Sequence, residues 1–118
     1  MKIQIQSGQW RLRVDEDELL ELMAGKGLGS HCELPGDQHL GFNLRLVPGD
    51  TAHVQRTQDL WWIKLPQAPV AALQVRLPDR ASVTFDLNTV SGAPFQLCLQ
   101  VDVKDSLKRR HPDRNKPG

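Results

Sequence analysis

Residues 1–27, MKIQIQSGQWRLRVDEDELLELMAGKG, decide the fold class. Ile3 and Ile5 alternate with Lys2, Gln4 and Gln6, and Trp10, Leu12 and Val14 alternate with Arg11 and Arg13. Side chains on a strand point to opposite faces in turn, so each run has one apolar and one polar face. Ser7-Gly8-Gln9 lies between them, and glycine supplies the positive φ that short hairpin turns require. A β-hairpin is therefore expected, with both apolar faces turned the same way. Asp15 then stands three residues before Glu18, the spacing of a capping box, and the four acids Asp15–Glu18 suit the positive end of a helix dipole. Leu19, Leu20, Leu22 and Met23 follow at helical spacing, and Gly25 or Gly27 can end the helix. Capping accounts for these carboxylates without invoking a catalytic pair or a metal.

The same residues resemble an uncharacterised bacterial family, a domain of unknown function. Its members open M-K-I-R-I, then reach [IL]-R-L-R-L and a helix beginning [ST]-x-x-E. The matching positions are Met1–Ile5, Trp10–Val14 and Asp15–Glu18, and Lys104-Asp105 matches a Lys-Asp near the end of the last family strand. The tail departs from the family, being basic here and acidic there. The resemblance covers the first twenty-odd residues closely and the rest loosely. It implies a shared fold and carries no function, since none is established for the family.

Working outward, alternation predicts strands at Leu28–Leu34, His39–Val47, Thr51–Thr57, Leu60–Leu65, Ala81–Leu87 and Phe95–Val103. Pro35-Gly36-Asp37 and Pro48-Gly49-Asp50 mark turns. In Leu60–Leu65 the register that buries Trp61, Ile63 and Leu65 is preferred, because the alternative buries an unpaired Lys64. Pro69 is placed at the first position of a short helical turn through Leu73. No internal repeat is read from the sequence. These elements define an α+β domain over residues 1–105: a curved antiparallel sheet or partly closed barrel of about seven strands, with one capped N-terminal helix packed on it. The expected core is Ile3, Ile5, Trp10, Leu12, Val14, Leu19, Met23, Phe42, Leu44, Ile63, Phe85, Leu97 and Leu99.

A chain of 118 residues is long enough for one core. Residues 1–103 hold nine Lys and Arg against twelve Asp and Glu, a net −3, and residues 104–118 hold six against two, a net +4. Residues 106–118 are expected to be a disordered basic tail. The charge balance does not favour nucleic acid, which would be met through that tail if at all. No apolar run approaches the roughly 20 residues of a membrane span, and Lys2 leads into an alternating strand rather than a signal-peptide core, so a cytoplasmic protein is expected. Cys32 and Cys98 form no C-x-x-C pair and are expected as reduced thiols.

The polar strand faces are the candidate site. Arg11, Arg13, Arg45 and Lys64, with Trp62 and several amides, could hold a phosphate or carboxylate if the strands share one sheet, because arginine grips such groups through paired hydrogen bonds. The plain alternative is a set of wetted strand faces. Barrels that bind triphosphate carry alternating glutamates on their first strand, where this chain has KIQIQ. His31, Cys32, His39 and His53 match no zinc spacing, G-x-S-x-G is absent, and GKGLGS follows a helix rather than preceding one, unlike a phosphate loop. No catalytic residue, metal or cofactor is assigned. The expectation is a non-catalytic binding or interaction module meeting an unknown protein or a small anionic ligand, with oligomeric state unassigned. The alternative is a small enzyme or sensor for an anionic phosphate or carboxylate.

Overall fold

The computed structural model describes residues 1–77 and 82–102. Four hairpins and two helices follow one another in the order β1 (Lys2–Gln6), β2 (Gln9–Val14), α1 (Glu16–Met23), β3 (Leu28–Leu34), β4 (Gln38–Val47), β5 (His53–Thr57), β6 (Leu60–Pro66), α2 (Gln67–Val75), β7 (Ser82–Asn88) and β8 (Pro94–Val101). They build two four-stranded sheets, ordered β1-β2-β8-β7 and β3-β4-β6-β5. Each sheet joins two antiparallel hairpins through a parallel central pair, β2 with β8 and β4 with β6.

The α+β class is as expected, and the architecture within it differs. There are eight described strands rather than about seven, in two mixed sheets rather than one antiparallel sheet or barrel, and the short helical turn expected from Pro69 is a full helix of nine residues. Two-residue alternation specifies which face a side chain takes but not which strand lies beside it or in which direction.

The chain is also an internal repeat, contrary to the sequence reading. Residues 3–23 correspond in register to 54–74: Ile3 opposes Leu12 as Val54 opposes Ile63, and Gln6 opposes Gln9 as Thr57 opposes Leu60. Leu28 opposes Leu44 as Val83 opposes Leu99. Exchanging the halves turns the order β1-β2-β8-β7 into β5-β6-β4-β3, which is the other sheet. Each half is therefore a ββαββ unit that contributes one hairpin to each sheet. The equivalent tryptophans Trp10 and Trp61 meet edge to face at 5.5 Å, and Trp10 also meets Phe42 and Phe95 at 5.7 and 5.8 Å. Such contacts add to area burial by placing the positive ring edge on a negative face.

Both sheets turn their apolar faces into one core, completed by Leu19 and Leu22 of α1 and by Val70 and Leu73 of α2. Two of the apolar positions expected to face inward do not. Ile5 is 54% exposed at the turn end of edge strand β1, beyond the core, and Leu20 is 52% exposed because Leu19 and Leu22 form the buried stripe of the short helix. Asp15 caps α1 as predicted: its side chain accepts from Glu18 N at 2.7 Å, and Glu18 returns the contact to Asp15 N at 3.0 Å while also meeting the Met1 amine. Asp15→Ala is expected to cost about 1 kcal/mol of stability in urea unfolding, through loss of this cap. Gly25 follows the last turn of α1 with φ +89°, so GKGLGS is a helix terminus. α2 begins at Gln67, two residues before the predicted start, so Pro69 lies in the first turn, where a missing N–H is not needed. Val103, Lys104-Asp105 and the basic tail lie outside the described residues.

Candidate functional site

The split into two sheets divides the predicted cationic set. Arg45, Trp62 and Lys64 share the outward face of the β3-β4-β6-β5 sheet, whereas Arg11 and Arg13 lie on the outward face of the other sheet. The expected convergence of all four cations does not occur. Each outward face points away from the common core, because Leu12 and Val14 on β2, and Leu44 and Ile63 on β4 and β6, face into it.

On the second sheet, register aligns His53, Lys64 and Arg45 in one row across β5, β6 and β4. Like charges directly opposite one another on adjacent strands are destabilising. No ion pair to these three groups occurs among the described residues. The next row holds Gln55, Trp62, Asn43 and Gly29, and the one after that Thr57, Leu60, Gly41 and His31. The Arg45 guanidinium lies 5.1 Å over the Trp62 ring, and its Nε donates to Asn43 Oδ1 at 3.1 Å. The site arginine is therefore fixed by a ring and an amide. An open hollow of about 340 Å³ is lined by Arg45, Gln55, Thr57, Trp62 and Lys64. His53 and Lys64 line a neighbouring one.

Two glycines shape this face. A Cβ at Gly27 would stand 2.9 Å from Asn43 Oδ1 and 3.0 Å from Arg45 Nε, and one at Gly41 would stand 3.0 Å from Leu60 Cδ1. Gly27→Ala is therefore expected to push the Asn43–Arg45 pair aside. The Arg45 Nε–H resonance should move in an amide and guanidinium NMR spectrum while the unfolding midpoint stays within a few degrees. Past Gly41, the rings of His31 and His39 stack at 5.1 Å and border a hollow of about 360 Å³ with Thr57, Asp59 and Leu60. His31 and His39 come together; His53 lies at the other end of the face, and Cys32 is exposed without joining either. No group of three or more metal-binding side chains occurs among the described residues.

The equivalent row on the first sheet is Lys2, Arg13, Gln100 and Ser82. Asp15, Glu18 and Asp102 border the hollow beside Lys2 and Arg13, so positive charge there is offset by neighbouring carboxylates. The two faces share one plan and differ in chemistry: Trp62 stands where the first sheet has Arg11, and Arg45 where it has Gln100. Arg45, Trp62 and Lys64 were named from the sequence; their row with His53, the histidine stack and the shaping glycines were not. The half-to-half correspondence, Trp10-Arg11-Leu12-Arg13-Val14 against Trp61-Trp62-Ile63-Lys64-Leu65, is a sequence signal for the matching of Lys64 with Arg13, and it does not mark the histidine stack or the glycines. Comparisons with family models, with curated proteins and with solved structures find no match to this chain. Among the described residues, no helix is long and apolar enough to cross a membrane.

Proposed function

We propose that this protein is a small non-catalytic binding module of the cytoplasm that holds an anion-bearing partner against the outward face of the β3-β4-β6-β5 sheet. The observation that carries this reading is the His53–Lys64–Arg45 row: adjacent bases without described carboxylate partners, beside a half-buried tryptophan. Such a row costs the isolated fold stability and gains it back when an anion lies across it. Tryptophan and arginine are also the side chains that most often anchor interfaces. The face is open and shallow, which suits a broad partner better than an enclosed small molecule. A pocket in which Arg11, Arg13, Arg45 and Lys64 converge would favour the enzyme or sensor reading, and the two pairs lie on different sheets. Kinship with the bacterial family that opens M-K-I-R-I stays part of the proposal, resting on residues 1–18.

The internal repeat supplies the control for the test. Lys64→Gln should weaken binding of hexaglutamate or inorganic polyphosphate about tenfold in calorimetric titration, the effect of one lost charge-assisted contact. Arg13→Gln, at the equivalent position, should change it less than twofold. Equal losses from the two variants would contradict the assignment of the face.

A further inference from the structure

We infer that the partner is single-stranded nucleic acid, laid across the outward face of the β3-β4-β6-β5 sheet. The inference rests on the binding reading above and names the occupant of the same face. It departs from the expectation drawn from charge balance, which reserved any nucleic-acid contact for the basic tail.

The Lys and Arg of this outward face, Lys64 and Arg45, stand side by side in one row with His53. An acidic polypeptide would be matched by cations in successive rows. Here the next rows offer something else: the Trp62 ring with the Arg45 guanidinium layered on it, the amides of Gln55 and Asn43, the Thr57 hydroxyl and the stacked rings of His31 and His39. Amides and hydroxyls both donate and accept, as base edges require, and carboxylates only accept. Rings and guanidinium planes take bases by stacking without regard to sequence. A phosphate row beside a stacking and hydrogen-bonding surface is the division of labour of sheet-based single-strand binding.

Polarity fixes the direction. Asp59 borders the far hollow and Glu33 opposes His39 at that end, so a phosphate backbone is repelled there. The backbone therefore follows the basic row across the strands, and the bases extend along the strands towards Gly41 and the histidine pair. The row spans two inter-strand gaps, about 10 Å at the usual strand spacing. That length fits two or three nucleotides, the number a sheet face of this kind stacks. A Cβ added at Gly29 would meet nothing within 4 Å, so the floor beside Asn43 is low enough for a flat ring, whereas the Leu60 side chain closes over Gly41. The openness of the face selects a strand over a free nucleotide, which would need enclosure on several sides.

The test uses the full chain, a fluorescein-labelled oligomer of twelve thymidines, and anisotropy at 50 and 150 mM salt. Saturable binding is expected, weakened about tenfold or more by Trp62→Ala and by Lys64→Glu. The triple substitution of Lys108, Arg109 and Arg110 by alanine should change it less than threefold. Loss of binding in the tail variant with none in Trp62→Ala would overturn the inference in favour of nonspecific tail electrostatics. Thymidine monophosphate displacing the oligomer at matching phosphate concentration would overturn it in favour of a free nucleotide. Hexaglutamate is titrated in parallel. If it binds through Lys64 while the oligomer does not, the strand inference fails and the binding module stands; if neither probe nor polyphosphate binds, both fail.

Discussion

Replacing Leu99 with alanine lowers the unfolding free energy by about 3 kcal/mol, within the range for deleting a fully buried leucine side chain. Leu99 has no exposed surface and stands on β8 between Leu12 of β2 and Val83 of β7. Cys98, the next residue on β8, is also buried. The cavity left by alanine therefore has packed sheet around it and little freedom to collapse. The internal repeat adds a second requirement. Leu44 occupies the equivalent place on β4, between Leu28 and Ile63, and is likewise fully buried. Leu44→Ala should cost a similar amount, within about 1 kcal/mol of the first. Urea unfolding followed by tryptophan fluorescence measures both. A loss below about 1 kcal/mol at either position would contradict the shared core.

Lys64→Glu separates stability from binding. In the folded chain the lysine lies between His53 and Arg45, with no described carboxylate to offset the row. Glutamate at this position turns the like-charge pair with Arg45 into an opposite-charge one, a pair that contributes roughly 0.2–1 kcal/mol. The thermal midpoint should hold or rise by a few degrees. Affinity for an anionic probe should meanwhile fall by more than tenfold, since the change both removes a contact and adds a repulsion. A variant that loses stability and binding together would show that Lys64 serves the fold rather than a partner. One that gains stability at no cost in affinity would show that the row is not the contact surface.

The elements were legible where local rules act alone. The capping box at Asp15, the hairpin at Gly8 and the inward set Trp61, Ile63 and Leu65 follow from spacing, and the structure places them so. The orientation of Trp62 and Lys64 followed from the cost of burying an unpaired ammonium. The long-range arrangement was not legible. A polar residue every second position marks a wetted face, but the face of which sheet depends on strand partners far apart in the chain. Arg13 and Lys64 look alike in their own strands; only the pairing of β2 with β8 and of β4 with β6 puts one beside Asp102 and the other beside Arg45. The repeat is hard to see in the sequence because it is kept in hydrophobic character more than in identity: Leu12 against Ile63, Val14 against Leu65, Leu19 against Val70. It is carried by the core, while the outward faces have diverged.

The most direct test of the account is a backbone amide NMR titration of the labelled full-length protein with the thymidine oligomer and with hexaglutamate, at two salt concentrations. The account predicts saturable shifts at Asn43, Arg45, Gln55, Trp62 and Lys64 that survive moderate salt, with Arg11, Arg13 and Gln100 on the equivalent face unmoved. Shifts centred on Arg11 and Arg13, or confined to residues 104–118 and lost as salt rises, would contradict it.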